Sequence, residues 1–153
     1  MRVSAKTDYA LRAAVELAAA HGDGTPVKGE RLATTQSIPL RFLENILLQL
    51  RHAGIVESRR GADGGYKLAR PPEDITLADV IRAIDGPLAG VSGQRPETLD
   101  FKGTSEPLRD VWIAVRASLR GVLEGVTLAD VASGDLPGHV AELTELPGAW
   151  ERR

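Results

Sequence analysis

Three polar residues within a span of five, Arg41, Glu44 and Asn45, could together read the edges of DNA bases. Arginine donates paired hydrogen bonds to guanine, asparagine pairs with adenine, and glutamate accepts a hydrogen bond from the cytosine amino group. Pro39 and Leu40 directly precede them, so that all five would occupy the first turns of one helix. Ordinary solvated helix residues would have the same composition, and this alternative stays open.

A second group of basic residues, Arg59, Arg60 and Lys67, surrounds a glycine-rich segment. Flexible backbone can approach a duplex closely, and an arginine can enter a narrow minor groove, for which Arg60 is the best placed. The tip of this segment would bring three further residues to DNA: Gly64, Gly65 and Tyr66. The alternative is a solvated charge pair, because edge hairpins often carry such charges.

Charge is divided unevenly along the 153 residues, although the net charge is only -2. Residues 1–70 carry eleven Lys and Arg against seven Asp and Glu, whereas residues 71–153 carry eight against fourteen. A basic first half suits a surface that faces phosphates. Arg2 and Lys6, at the start of the first helix, would contact phosphates and position the protein without reading sequence.

The elements that must position these residues follow one another in an informative order. Apolar residues at spacings of three and four predict helices over residues 4–21, 30–36 and 40–53. From residue 55 to 70 the period changes to two around a tight Asp-Gly turn, which predicts a β-hairpin. This order of a helix, a short helix, a turn, a further helix and a glycine-tipped hairpin is that of a winged helix-turn-helix. In such a fold the helix after the turn, here residues 40–53, enters the major groove.

The second half of the chain predicts a linker helix, a loop and a long helix. Thr76 and Asp79 have the capping-box spacing and open a helix that runs to about Asp85. Residues 88–105 are rich in Gly, Ser, Thr and Pro and have no period, so they predict a long exposed loop. After Pro107, apolar residues recur at spacings of four and three, which is a heptad seam suited to pairing with a second copy. The seam comprises Leu108, Trp112, Val115, Leu119, Val122 and Val126.

The predicted fold class is mainly α with a small β-hairpin, in which a winged helix-turn-helix is joined to a long C-terminal dimerisation helix. Residues 1–72 would be the DNA-binding domain, residues 73–133 the linker helix, sensor-type loop and dimerisation helix, and residues 134–153 a C-terminal tail. Residues 127–131 repeat the sequence of residues 76–80, which indicates that one helix start is used twice.

Composition excludes several kinds of chemistry. The chain has no cysteine, so it cannot form disulfides, thiolate zinc sites or iron–sulfur clusters held by cysteine. Its three histidines are scattered away from other ligands, which predicts no metal and no cofactor. No apolar run approaches the roughly 20 residues of a membrane span, which predicts a cytoplasmic protein without a membrane partner. No nucleophile–base set or phosphate-binding glycine loop supports an enzyme.

These features favour a sequence-specific transcription regulator that binds double-stranded DNA as a homodimer on a palindromic operator and acts as a repressor. The alternative is a winged helix that has lost DNA binding and serves as a protein-interaction module. The basic first half of the chain argues against this alternative, because phosphate attraction supplies much of the affinity for DNA.

The sequence resembles the bacterial winged-helix regulators that include IscR, NsrR and CymR, over nearly its whole length. The segments that carry the resemblance are residues 4–12 (SAKTDYALR), 38–44 (IPLRFLE), 50–56 (LRHAGIV), 60–70 (RGADGGYKLAR), 75–77 (ITL) and 84–87 (IDGP). The resemblance implies a homodimer joined largely by the long C-terminal helix, DNA reading by the helix that starts at Pro39 and by Arg60, and control of transcription.

One departure from that family is informative. Cluster-binding members carry three cysteines in the loop that corresponds to residues 88–105, where this chain has none. Asp8 matches a position that ligates the cluster in some members, but one carboxylate cannot hold a cluster alone, so Asp8 is expected to be a helix-surface acid. The chain is therefore similar to the clusterless members, which respond to a small molecule or to a partner protein.

Overall fold

The computed structural model describes residues 3–152 and confirms the predicted fold class, mainly helical with one small hairpin. The helices are α1 (Ala5–Ala19), α2 (Gly29–Gln36), α3 (Leu40–His52), α4 (Leu77–Asp85), α5 (Leu108–Leu123), α6 (Leu128–Ser133) and α7 (Gly138–Thr144), and the strands are β1 (Val56–Arg59) and β2 (Gly65–Leu68). Within this part of the chain, no helix combines the length and the apolar character needed to cross a membrane.

Helix α1 is the centre of the core. Ser4 caps its first turn by accepting a hydrogen bond from the backbone N–H of Thr7 at 3.1 Å. Small residues at spacings of three and four face inward and let neighbouring helices approach closely, and Leu17 fills the space beside them. The hydroxyl of the buried Thr7 donates to the carboxylate of Asp85, so one polar contact joins α1 to the end of α4.

The turn between α2 and α3 fixes the angle at which α3 leaves the core. Ser37 ends α2 in the left-handed conformation, with φ of 53°. The next residue, Ile38, inserts its side chain into the core, and its backbone N–H donates to the Ala33 carbonyl at 2.9 Å. Ala33 is itself buried, and its small side chain allows α2 and α3 to approach each other closely. This is the turn of a helix-turn-helix.

The repeated sequence TLADV forms a contact that the sequence did not reveal. Both copies fold as capping boxes, at Thr76 with Asp79 and at Thr127 with Asp130. The two helix starts then pair with each other, because Thr76 and Thr127 form an isolated antiparallel β-bridge. The backbone N–H of Leu128 donates to the Ile75 carbonyl at 2.9 Å, so the chain after α5 returns to the winged-helix body.

This return adds α4 and α6 to the core around α1. Ile75, Val80 and Leu128 are all fully buried in the same cluster as the apolar residues of α1 and α3. The residues on both sides of the predicted domain boundary at residue 72 therefore share one core. The assignment of DNA binding to one side and dimerisation to the other stays a prediction.

Replacing Leu128 by alanine is expected to lower the free energy of unfolding by about 2–5 kcal/mol, since it leaves a cavity beside α1. Leu143→Ala is the matched control, because Leu143 on α7 is 46% exposed whereas Leu128 is 0% exposed. The control should change stability by less than about 0.5 kcal/mol. Denaturant unfolding followed by circular dichroism compares the two, and equal effects would show that α6 contributes nothing to the core.

Three sequence predictions about the second half need correction. Val126 does not continue the heptad seam, because α5 ends at Leu123 and Val126 is buried beside α4, where its carbonyl accepts from the Leu77 N–H at 3.0 Å. The segment 88–105 is not exposed throughout, since Leu88 and Pro96 are buried. The predicted tail includes a helix, α7, which ends at Thr144.

Candidate nucleic-acid interface

Helix α3 separates an apolar face from a polar one. Its inward residues Leu43, Ile46, Leu47 and Leu50 are fully buried, which fixes the rotation of the helix about its axis. The opposite face is exposed and carries Arg41, Glu44 and Asn45, the three side chains predicted to read bases, behind the exposed Pro39 and Leu40. The structure therefore brings all five predicted positions together at the outer, N-terminal end of one helix.

Two further residues on α3 belong to this surface and were missed by the sequence reasoning. Leu48 is exposed on the same face, within one turn of Glu44 and Asn45. An apolar side chain at this place can contact the methyl group of thymine. The amide of Gln49 donates to the side-chain oxygen of Asn45 at 3.2 Å and so orients the Asn45 amide. An apolar residue on an otherwise polar helix face was the available signal for Leu48.

The hairpin beside α3 is present over the predicted segment, but its tip differs from the predicted tight Asp-Gly turn, because positive φ lies at Gly61 (106°) and Gly65 (154°) and not at Asp63 or Gly64. Glu57 pairs with Lys67 and Arg59 with Gly65 across the antiparallel strands. Gly64 is buried inside the turn, where a Cβ atom would collide with the carbonyl oxygen of Arg59. A Cβ at Gly65 would collide with the backbone of Val27. Both glycines are therefore required by the hairpin itself, and their contact with DNA stays a prediction.

An isolated antiparallel β-bridge holds the hairpin, which is the wing of the winged helix, against the body of the domain. Val27, in the loop before α2, exchanges two backbone hydrogen bonds of 2.8 Å with Tyr66. The half-buried Tyr66 ring lies close to Gly29 at the start of α2. Tyr66 thus anchors the wing, a role that sequence reasoning did not assign because a single bridging residue leaves no periodic pattern.

The basic side chains of the wing differ in their partners. Lys67 forms an ion pair with Glu57 at 2.8 Å, which matches the alternative of a charge pair on an edge hairpin. Arg59 and Arg60 are exposed, and no ion pair between residues 3 and 152 involves either of them or Arg41. These three guanidinium groups are therefore available to an external anion such as a DNA phosphate.

Contacts of Arg12 hold α1, α2 and α3 in their relative positions. Its guanidinium donates to the carbonyl of Gln36 at the end of α2, at 3.0 Å, and lies 4.7 Å from the centre of the Tyr9 ring. Tyr9 in turn meets Phe42 of α3 edge to face, with ring centres 5.7 Å apart. Asp8 forms an ion pair with Arg12 at 2.8 Å on the surface of α1, so its carboxylate has a structural partner.

Of the two residues near the amino terminus that are predicted to contact phosphates, the structure describes only Lys6. Lys6 lies in the first turn of α1 and is half-buried. Arg2 lies outside the described residues. Their roles at the phosphate backbone stay predictions.

Helix α5 carries the predicted dimerisation residues and has few contacts with its own chain. None of its residues is buried, although most of the helix is apolar. Leu108 is 43% exposed, and the remaining predicted seam residues, Trp112, Val115, Leu119 and Val122, are half-buried. Val111, beside the seam, is 51% exposed.

A helix-turn-helix followed by a hairpin with unpaired arginines defines the class of winged-helix DNA-binding proteins. Residues 3–134 match the Rrf2 family, which is described as iron-dependent transcriptional regulators. The chain belongs to this family, and it is a DNA-binding transcription regulator.

Named relatives agree with this assignment. The chain is 54% identical over 145 residues to an HTH-type transcriptional regulator of Mycobacterium tuberculosis, covering 95% of this chain and 89% of the relative. It is 38% identical over 133 residues to the HTH-type transcriptional regulator CymR of Bacillus subtilis, covering 87% and 91% of the two chains. The solved structure of CymR, the global cysteine regulator of B. subtilis, superposes with a TM-score of 0.75 at 36% identity and covers 88% of this chain and 98% of that chain.

The description of the family as iron-dependent can be tested against the donor set of this chain. There is no cysteine anywhere in the sequence. Between residues 3 and 152, no three His, Cys, Asp or Glu side chains come together in a way that could hold a metal ion. In the loop 88–105, the carboxylate of Glu97 is engaged by Arg116. These residues do not fit an iron–sulfur cluster.

Proposed function

We propose that this regulator binds a palindromic operator as a homodimer, represses transcription from it, and requires no iron–sulfur cluster to do so. The observation that carries the proposal is the apolar helix α5, none of whose residues is buried within one chain. An apolar surface of this length in a water-soluble protein is typical of an interface. The seam residues of α5 recur at heptad spacing, and none of them is fully buried within one chain, so the matching surface on a second copy is a suitable partner.

Two-fold pairing through α5 would place two winged helices on one duplex. Each copy presents Arg41, Glu44 and Asn45 on the exposed end of α3, and these residues enter the major groove. The operator is therefore an inverted repeat whose half-sites lie about one helical turn, or slightly more, apart. Arg59 and Arg60 of the wing reach the adjacent minor groove, where negative potential attracts arginine.

Repression is the direct consequence of such binding, because a dimer that covers an operator within a promoter occupies DNA that polymerase needs. The absence of cysteine from the sequence means that control of this binding does not depend on cysteine-held iron. The effector is a small molecule or a partner protein.

Recovery and sequencing of bound fragments tests the proposal. Purified protein in iron-free buffer is mixed with sheared genomic DNA from its source at moderate salt, and the bound fragments are sequenced. We expect enrichment of one inverted-repeat motif, upstream of genes whose transcription rises when the protein is removed. Enrichment of a motif with one half-site and no inverted partner would contradict the proposal. Enrichment that occurs only after iron is supplied would also contradict it. Binding that is absent even at low salt would favour the protein-interaction module.

A further inference from the structure

A cleft of roughly 390 Å³ lies where the end of α4, the loop after it and the side of α5 meet. Its lining includes four arginines, Arg82, Arg95, Arg116 and Arg120, and one carboxylate, Glu97. None of these arginines belongs to the predicted DNA-binding surface or to the predicted dimerisation seam. Its volume is within the usual range of pockets that hold small molecules.

Positive charge in this cleft is only partly compensated. Arg116 pairs with Glu97, and Arg82 pairs with Glu124. Arg120 approaches the same Glu124 oxygen at 3.9 Å, so that two arginines share one carboxylate. Arg95 has no ion-pair partner in the part of the chain that the structure describes. Four guanidinium groups therefore face two carboxylates.

Burial increases the effect of this imbalance. The side chain of Arg116 is only 16% exposed, so its charge is screened less by water than that of an ordinary surface arginine. The backbone N–H of Glu97 and the Arg116 guanidinium both donate to the Glu97 carboxylate and hold the pKa of Glu97 below its ordinary value. Glu97 is thus ionised at neutral pH, and the excess of positive charge remains.

The loop that forms one wall has an unusual backbone. Ala89 has φ of 54° and Ser92 has φ of 50°, both in the left-handed region that residues with a Cβ rarely adopt. Strained backbone of this kind occurs preferentially at ligand clamps and switch segments. The loop is followed by the segment that packs on α5, so a ligand in the cleft would contact both α4 and the proposed dimerisation helix.

We propose that this cleft binds a small anion carrying two or more carboxylate or phosphate groups, which is the effector of the regulator. Guanidinium groups match both kinds of oxyanion in paired hydrogen bonds, and four of them around one open cleft suit a ligand with several such groups. A concave site with a largely covered arginine suits a small ligand better than the convex backbone of a duplex. The role as effector rests on the proposed function, whereas binding of the anion does not.

Calorimetry on the full chain, in the absence of DNA, tests the binding. Citrate and pyrophosphate are the two probes, titrated at constant ionic strength, and they distinguish carboxylate from phosphate recognition. We expect one of them to bind with one site per protomer. The double variant Arg95→Gln/Arg120→Gln should weaken this binding by at least about tenfold, because each lost charged hydrogen bond is worth that much.

Arg109→Gln is the matched control, since Arg109 is an exposed arginine of α5 that does not line the cleft. It should leave the affinity within about twofold, in keeping with the small effects of exposed charges. Circular dichroism checks that the double variant is folded. The proposal is wrong if neither probe binds better than sodium chloride at equal ionic strength, or if Arg109→Gln weakens binding as much as the double variant does.

The effector role is tested separately on the enriched operator. The anion that binds should change operator affinity about fivefold or more in the unaltered protein and not in the double variant. An anion that binds without this change overturns the effector role alone. If neither anion binds but the double variant loses operator affinity, the arginines contact DNA phosphates instead, and the proposal is wrong. Because the calorimetry contains no DNA, failure to find an operator does not affect its result.

Discussion

Replacing Val115 by aspartate is expected to convert the proposed homodimer to monomers and to weaken operator binding by about 10²–10⁴-fold. Val115 lies in the middle of the predicted seam on α5 and is half-buried within one chain. In a two-fold pair the substitution places two carboxylates in an apolar interface, where an unpaired charge loses its hydration. A monomer holds one half-site at a time, so the gain from simultaneous binding of both half-sites is lost.

The measurement is sedimentation velocity at micromolar protein, followed by fluorescence anisotropy with the enriched operator. Leu108→Asp is a second variant, because Leu108 is 43% exposed and its side chain is not needed to fill the core of one chain. Leu143→Asp on α7 is its matched control, since Leu143 is 46% exposed and lies outside the seam. Folded α5 variants that sediment as the unaltered protein does would exclude this helix as the interface.

The winged helix-turn-helix could be predicted from the sequence because its signals are local. The burial of Leu43, Ile46 and Leu47 follows from spacings of three and four, and the hairpin follows from a change of period around Asp63 and Gly64. Periodicity also fixes which face of α3 is exposed. The position of the candidate base-reading residues was therefore predictable, although their contact with bases is a property of the complex and stays a prediction.

Contacts between distant segments left no such signal. Val27 and Tyr66 are hydrogen-bonded but lie far apart in the sequence, and an isolated bridge of this kind produces no periodic pattern. The repeat at residues 127–131 was visible, but its pairing with residues 76–80 depends on where α5 ends. Sequence spacing alone placed Val126 in the seam, and this assignment was wrong because α5 already ends at Leu123 and the chain then runs to the β-bridge at Thr127.

The cleft of arginines illustrates the same limit. Arg82 lies on α4, Arg95 lies in the following loop, and Arg116 and Arg120 lie on α5. In the sequence they are isolated charges in a half of the chain that is acidic overall. Only folding, which brings the loop against α5 through Arg116 and Glu97, concentrates positive charge in one place. Net charge by segment therefore describes a whole surface and does not reveal a local site.

The substitutions Arg41→Ala and Arg60→Ala are each expected to weaken operator binding by about 1–3 kcal/mol, or roughly 5- to 150-fold. The two losses should differ in kind. Arg41 lies on the exposed end of α3, where a bidentate contact to guanine reads one base pair, so Arg41→Ala should relax the preference at that position. Arg60 lies at the wing, where minor-groove width attracts arginine, so Arg60→Ala should reduce the preference for A·T-rich flanks.

Anisotropy titrations against the operator, against a set of single-base variants and against operators with G·C-rich flanks separate these effects. Lys6→Ala provides a contrast, because loss of a phosphate contact should weaken binding to all sequences equally and reduce the salt slope by about one. Arg109→Ala is the control for loss of positive charge, since Arg109 is exposed on α5. An Arg60→Ala protein that binds every flank as the unaltered protein does would remove the wing arginine from the interface. If Arg60→Ala and Arg109→Ala weaken binding equally, Arg60 contributes only non-specific attraction to DNA. Both charges would then act through the overall potential and not through a groove.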